Sequence, residues 1–335
     1  MRQTRIVVTD YVEPDLEWER KQLAGYPVTL DAHQLKFASE QETIAKIGNA
    51  DVVIVNMTKL TRQVLQHLPS CKLVIRHGVG YDNVDISAAT DMGIQVCYVP
   101  DYCSSEVAEQ AMMLLLLCRR RFNRQLEALD DSIRKGQWDF SRVVPILRFS
   151  QSKAGIIGCG RIGSIVLQML RGFGVNVMIH DPYLSEARQA ELGVRSIPLE
   201  RLLPEADMVT IHSTLTPETH HMIGERELRM MKTTAILVNT ARGAIVDGPA
   251  LARACEEGWI AGAGIDVFEK EPPQPGFILG GISNLILTPH LAWYSEDAGW
   301  SIREKILEDI LRYLDGNSPR YPVNAITRAK VSHAS

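Results

Sequence analysis

Three short segments carry residue types that could do chemistry together. They are Asn239-Thr240-Ala241-Arg242-Gly243, Asp266-Val267-Phe268-Glu269-Lys270-Glu271-Pro272-Pro273 and Thr288-Pro289-His290-Leu291-Ala292-Trp293, and each follows an apolar run that reads as a strand. They supply a guanidinium, carboxylates and an imidazole, which is what reduction of a carbonyl requires. As the carbonyl carbon receives hydride, negative charge builds on its oxygen. A protonated imidazole can neutralise that charge, which is worth about 10²–10⁴ in rate. A carboxylate beside the imidazole favours the charged ring and fixes its orientation. A guanidinium can polarise the carbonyl and hold an adjacent carboxylate by a two-pronged contact. Singly, each residue has a plainer reading: Arg242 as a surface arginine, the acids as solvated loop charges, His290 as a packed or surface histidine. Pro272 restrains the residue before it, so Glu271 is expected in a non-helical loop. It is as a set, each near a strand end, that the three become informative.

The elements that would position such a set are marked by Ile156-Ile157-Gly158-Cys159-Gly160-Arg161-Ile162-Gly163, a G-x-G-x-x-G loop. An apolar strand leads in at Gly155–Ile157. A helical pattern leads out through Ile162, Ile165, Val166, Met169 and Leu170, and a second strand at Val175–His180 ends at Asp181. That acid lies 18 residues after Gly163, close to the spacing of about 20 expected of a dinucleotide-binding unit. Gly158 permits the tight turn, Gly160 leaves room for a pyrophosphate, Gly163 lets helix and strand pack closely, and the helix N-terminus offers free N–H groups to phosphate. Asp181 can accept from the adenine-side ribose hydroxyls and would repel a 2′-phosphate, which favours NAD(H) over NADP(H). Glycine-rich turns occur in many loops; here strand, helix, strand and acid follow in order.

Short β-rich runs alternate with helical patterns along the 335 residues. Strands are expected at Arg5–Thr9, Val28–Asp31, Asp51–Asn56, Lys72–Arg76, Gly93–Tyr98, Met208–Ser213, Ala235–Asn239, Ala263–Val267 and Leu285–Thr288. Helices are expected at Gln41–Gly48, Thr61–Leu68 and about Glu296–Asp315. A long helix starts near Ser104-Ser105, one of which would cap it, and extends to about Lys135, followed by a polar loop from Gly136 to Lys153. This alternation implies parallel sheets covered by helices on both faces.

Composition narrows the function classes. A net charge of −4 with dispersed Lys and Arg argues against a sequence-independent grip on nucleic acid. The run Arg119-Arg120-Arg121 reads as a solvated helix end that suits the dipole. The longest apolar run, Ala111–Cys118, is far shorter than the roughly 20 residues of a membrane span, and the N-terminus has too short an apolar core for a secretory signal. Six cysteines without a CxxC pair fit reduced thiols in a cytoplasmic protein. No His/Cys cluster has zinc spacing. His220-His221 are neighbours whose rings diverge on most backbones, so no metal is expected. No G-x-S-x-G is present for a serine hydrolase.

The chain resembles the D-isomer-specific 2-hydroxyacid dehydrogenase family from about Asp51 to Asp315. The resemblance rests on Arg76-His77-Gly78-Val79-Gly80-Tyr81-Asp82-Asn83-Val84-Asp85, the Gly158 loop, the Asn239 block and the stretch from Asp266 to His290. Within it, Asp181-Pro182-Tyr183-Leu184-Ser185 and Thr288 through Glu296 look like the C-terminal binding protein branch of dehydrogenase-like corepressors, as does the His220-His221 pair. The resemblance implies an α/β fold of two doubly wound parallel-sheet domains. A Rossmann NAD-binding domain, 103–297, is inserted in a discontinuous flavodoxin-like substrate domain, 1–102 plus 298–335, with the active site between them. It implies that Arg242 binds substrate, Glu271 pairs with the imidazole and His290 is the acid–base. Arg76 and the Gly78-Val79-Gly80 backbone would receive the substrate carboxylate, and Trp293 would line the pocket. The cofactor NAD would fall to Gly158, Gly160, Arg161, Ile162, Gly163 and Asp181, to Ser213, Thr214 and Thr219, to Thr240 and Ala241, and to Asp266 at the nicotinamide carboxamide. A homodimer through the cofactor domain is implied, with a small 2-keto or 2-hydroxy acid as substrate. The N-terminal 50 residues match the family weakly. Two other readings stand beside a keto-acid reductase: an NAD(H)-responsive scaffold that binds partner proteins, and a biosynthetic phosphoglycerate dehydrogenase, for which no set of phosphate-binding cations is visible.

Overall fold

The computed structural model describes residues 3–326; the ends of the expected first domain, 1–2 and 327–335, lie outside the described residues. The chain divides into two units, Met1–Tyr102 with Ser295–Ser335, and Cys103–Tyr294. The return crossing therefore falls at 294/295 rather than at the expected 297/298. The reason is local: Ser295 is the N-cap of the last helix, its hydroxyl accepting from the Ala298 amide, so it belongs with that helix.

In the first unit the chain runs β1 (Thr4–Val8), α1 (Glu17–Leu23), β2 (Val28–Ala32), α2 (Glu40–Ile47), β3 (Val52–Val55), α3 (Arg62–Gln66), β4 (Leu73–Arg76), α4 (Ile86–Asp91) and β5 (Gln95–Tyr98). The strands form one parallel sheet in the order β2-β1-β3-β4-β5. That is the flavodoxin-like order, with its switch point between β1 and β3. β3 reads Val-Val-Ile-Val and is buried throughout, as a central parallel strand must be when both faces are covered.

The second unit runs α5 (Ser104–Arg119), α6 (Phe122–Lys135), β6 (Lys153–Ile157), α7 (Arg161–Gly172), β7 (Asn176–His180), α8 (Glu186–Leu192), α9 (Leu199–Glu205), β8 (Met208–Ile211), α10 (Glu225–Met230), β9 (Ile236–Asn239), α11 (Gly248–Glu256), β10 (Gly262–Ile265) and β11 (Leu285–Leu287). α12 (Glu296–Leu314) then returns to the first unit. The second sheet is also parallel, in the order β11-β10-β9-β8-β6-β7, so the chain reverses direction across the sheet between β6 and β8. The carboxyl ends of those two strands flank the crevice where an open α/β sheet binds its ligand.

Three sequence expectations are corrected here. The long helix does not continue to Lys135 as one piece: it stops at Arg119, and Arg121 adopts φ 53 before α6 begins. Neither Ser104 nor Ser105 caps α5; Cys103 holds the N-cap position and makes no side-chain cap bond. Nor is Arg119 a solvated helix end. It is buried, donating through Nη2 to Ser152 Oγ at 2.9 Å and through Nη1 to the Thr234 carbonyl at 3.3 Å. Its guanidinium thus ties α5 to the segments entering β6 and β9. The loop expected to be polar also exposes Trp138 and Phe140. Among the described residues, no helix is long and apolar enough to cross a membrane.

Candidate active site

The three chemical segments emerge from β9, β10 and β11, neighbours in one parallel sheet, and so lie at its carboxyl edge. After β9, buried Asn239 shapes the first turn. Its Oδ1 accepts from the Ala241 amide at 3.0 Å and its Nδ2 donates to the Arg242 carbonyl at 2.9 Å. Arg242 Nη1 donates to the Ala241 carbonyl at 2.9 Å. Gly243 is then required by close approach, because a Cβ there would lie 2.0 Å from the Phe268 carbonyl carbon and 2.2 Å from the Glu269 nitrogen. Removing that side chain lets the Arg242 turn and the Glu271 loop touch backbone to backbone.

The acid–base couple is built from two loops. Glu271 Oε1 accepts from the Phe268 amide at 2.9 Å, which turns the carboxylate inward, and Oε2 lies 2.7 Å from His290 Nδ1. Nε2 of His290 has no protein partner among the described residues. Burial alone would raise the Glu271 carboxyl. The His290 hydrogen bond and charge, the Phe268 N–H and the nearby Arg242 charge outweigh it and hold the group below the ordinary carboxylate range. The carboxylate is therefore ionised at neutral pH. His290 itself sits at φ 55, a left-handed conformation, uncommon for a residue with a side chain. Its amide donates to the Asp266 carbonyl at 2.8 Å.

Asp266, which the resemblance gives to the carboxamide, is fully buried and already engaged. Oδ1 accepts from Thr288 Oγ1 at 2.5 Å and from the Leu291 amide at 3.2 Å, and Oδ2 accepts from the Ala292 amide at 2.9 Å. Trp293, half-buried, packs edge-on against Tyr294 with ring centroids 5.3 Å apart. Arg76 and Gly78–Gly80 belong to the first unit. There the Arg76 guanidinium donates to the His77 carbonyl, in space that a Cβ on Gly78 (φ 143) would occupy.

The glycine loop has the form its spacing implies. Gly158 turns at φ 87, and a Cβ on it would meet Ser213 Oγ at 2.8 Å and the His212 backbone at 2.9 Å. A Cβ on Gly163 would lie 2.1 Å from the Gly158 carbonyl, whereas one on Gly160 would meet nothing within 4 Å. Gly160 therefore faces open space at the N-terminus of α7. Asp181 is held beside this loop: Oδ2 accepts from the Cys159 amide at 2.8 Å and Oδ1 from the Tyr183 amide at 3.0 Å. Thr219 closes the 214–219 loop, its hydroxyl donating to the Thr214 carbonyl at 2.7 Å and accepting from the Thr216 amide at 2.8 Å. The hydroxyl of Tyr183 donates to Glu218, joining that loop to the one after β7.

These residues fit a dinucleotide. The open cradle at Gly160 suits a pyrophosphate on the helix N-terminus. Two polar atoms, Thr240 Oγ1 and His212 Nδ1, are buried without a hydrogen-bond partner among the described residues, an arrangement that costs free energy unless a ligand or water completes it. Burial pushes the His212 ring down to about 3, so it stays neutral.

Four supporting residues had no role in the sequence reading: Asn239, Gly243 and Thr288, which lie within the chemical segments, and Gln110, which lies outside them. Gln110 Nε2 donates to Thr288 Oγ1 at 3.1 Å. The expectation that His220 and His221 diverge is also corrected. His221 takes φ 50, the two rings stack with centroids 4.1 Å apart, and with Glu269 they bring three ligand atoms within 4.8 Å of one another. A left-handed residue reverses the side-chain direction that an extended or helical backbone would give.

Comparison with known proteins places this geometry. The family model described as D-isomer specific 2-hydroxyacid dehydrogenase, NAD binding domain, matches residues 112–292. A protein of Korarchaeum cryptofilum named glyoxylate reductase is 39% identical over 291 residues, 85% of this chain and 86% of its own. A D-3-phosphoglycerate dehydrogenase of Methanocaldococcus jannaschii is 38% identical over 288 residues, 85% of this chain but 54% of its own. Among solved structures, D-lactate dehydrogenase from Aquifex aeolicus, complexed with NAD and lactic acid, superposes with a TM-score of 0.83 at 29% identity, covering 93% of this chain and 96% of that one.

Proposed function

The chain belongs to the D-isomer specific 2-hydroxyacid dehydrogenase family, and from that premise we propose that it is an NAD(H)-dependent oxidoreductase interconverting a small 2-keto acid and a D-2-hydroxy acid. His290 is the acid–base, Glu271 its partner and Arg242 the substrate anchor. The observation that carries this reading is the 2.7 Å Glu271–His290 pair, with Nε2 unengaged, on the sheet edge that also carries the glycine loop.

When bound, reduced NAD supplies the hydride. The chain's own residues do the rest. Arg242 holds the substrate carboxylate and polarises the neighbouring carbonyl. His290 Nε2 delivers a proton to the oxygen as charge develops, and Glu271 keeps the ring oriented and charged until that moment. In the reverse direction the neutral ring accepts the hydroxyl proton. Asp181 selects NAD(H) by taking the ribose hydroxyls, and the Gly78-Val79-Gly80 backbone is assigned, by the family resemblance, to the substrate carboxylate.

The test is steady-state turnover on glyoxylate, hydroxypyruvate, pyruvate and 3-phosphohydroxypyruvate with NADH and with NADPH. Turnover on one of the small unphosphorylated acids, faster with NADH, is expected. Negligible turnover on the whole panel, with tight NADH binding, would instead favour the protein-binding scaffold of the corepressor branch. A preference for the phosphorylated acid would favour phosphoglycerate dehydrogenase.

A homodimer through the second unit belongs to the same proposal. Phe122, Leu126, Leu129 and Ile133 recur along one face of α6, and all are exposed, as are Trp138 and Phe140 beyond it. A contiguous apolar stripe of this kind marks an interaction surface. Light scattering is expected to give twice the chain mass, falling to the chain mass in Ile133→Glu. A wild-type monomer would refute the assignment.

A further inference from the structure

Three consecutive amides, those of His290, Leu291 and Ala292, converge on one residue: the first on the Asp266 carbonyl, the others on its two carboxylate oxygens. This convergence over-determines a loop whose first residue, His290, sits at φ 55, and such conformations persist only when their surroundings enforce them. Asp266 is wholly buried, so each donor it keeps matters, because a buried acceptor that loses a partner has no water to replace it. Its fourth donor is the Thr288 hydroxyl at 2.5 Å. A hydroxyl has one proton and two lone pairs, and can point either way. Here Gln110 Nε2, reaching from α5, donates to Thr288 Oγ1 at 3.1 Å. With its acceptor side occupied, the Thr288 hydroxyl is left to spend its proton on Asp266.

We propose that Gln110 and Thr288 form a relay that fixes Asp266, and through it the left-handed backbone of His290, so that the imidazole stays aligned with Glu271. Both are positioning residues, since neither touches the reacting atoms. The inference rests on the reading of His290 as the acid–base. The charged group at the ring is Glu271, at 2.7 Å; the Arg242 charge acts on Glu271, and the Asp266 carboxylate faces the loop backbone. Loosening the relay lets the ring drift from Glu271 and weakens the 2.7 Å contact between them.

Thr288→Val keeps the shape and removes the hydroxyl. It is expected to lower kcat for keto-acid reduction about tenfold, with the KM values and NADH affinity changed less than about threefold. The alkaline limb of the rate profile is expected at lower pH, and amide exchange at 290–292 is expected to quicken. Thr288→Ser restores the hydroxyl and is expected to restore all of these. Gln110→Leu is expected to act in the same direction by about threefold, and carries the test should the valine variant fail to fold. Wild-type kcat, pH limb and exchange in folded Thr288→Val, or in Gln110→Leu if that variant stands in for it, would overturn the relay, as would equal losses in the serine and valine variants. His290→Ala separates the two claims. If it retains wild-type rates while Thr288→Val speeds exchange at 290–292, the acid–base reading falls and the anchoring of the loop stands.

Discussion

Each unit of this chain contains a glutamate–histidine pair of nearly the same length, and the two differ in almost everything else. In the first unit Glu13 Oε1 lies 2.8 Å from His77 Nε2, and both side chains are only 9% exposed. Val8, Leu16, Leu30 and Ile54 line the small cavity around them. In the second unit Glu271 lies 2.7 Å from His290, with the ring 36% and the carboxylate 21% exposed. The histidine of the sealed pair directly follows β4, whereas that of the open one is a left-handed residue held by loop hydrogen bonds. The same two functional groups thus make a sealed pair in one setting and, in the proposed reading, a proton donor in the other. What separates them is access: the second pair is open enough to meet a substrate and the first is not.

The largest expected difference is in turnover. His290→Ala is expected to cut keto-acid reduction by at least about a hundredfold with little change in NADH affinity, while His77→Ala changes the rate per folded molecule by less than about tenfold. Steady-state rates normalised to folded protein, with NADH binding followed by fluorescence, check both. Similar losses in the two variants would erase the distinction.

Stability is expected to sort the pairs the other way. Glu13→Ala leaves a buried partner unpaired and is expected to cost about 3–5 kcal/mol. Glu271→Ala breaks a pair whose ring is more than a third exposed, and is expected to cost under about 1 kcal/mol. Burial alone would raise the Glu13 carboxyl. The His77 hydrogen bond and charge and the Glu13 and Val12 amides overcome it and bring the group from 4.5 down to about 2. A depressed carboxylate stabilises the fold fully above its unfolded value and loses that contribution as pH falls through its folded one. The gap in melting temperature between wild type and Glu13→Ala is therefore expected to be full at pH 7 and to narrow from about 4.5 toward 2. A gap that stays constant across that window would remove Glu13 as its source.

Much of this architecture was legible in the sequence because it rests on local signals. Buried parallel strands are read from continuous apolar runs such as Val52–Val55 and, in the second sheet, 236–238. Gly158 and Gly163 are dictated by close approaches, to His212 and Ser213 and to the Gly158 carbonyl respectively, while Gly160 leaves open space at the helix N-terminus. Spacing alone singled out Asp181, and the bond from the Cys159 amide shows that the second strand brings its end back beside the glycine loop. The Glu271–His290 pair was expected from chemistry and is present. What escaped depends on one backbone angle or on distant partners. Arg121 breaks a helical pattern without a Gly or Pro to announce it, and φ 50 at His221 stacks two rings that a regular backbone would separate. The buried bond of Arg119 to Ser152 spans 33 residues, and that of Gln110 to Thr288 spans 178. No periodicity reports contacts of that range.

The most direct test of the acid–base assignment is the pH dependence of NADH-driven keto-acid reduction in wild type, Glu271→Gln and Glu13→Gln, recorded side by side. Reduction needs the protonated ring, and an anion beside His290 favours that form. Removing the charge at Glu271 is expected to move the alkaline fall in rate to lower pH, while removing it at Glu13 leaves that limb in place. An unmoved limb in Glu271→Gln, or an equal shift in Glu13→Gln, would contradict the assignment of Glu271 and His290 as the couple that handles the proton.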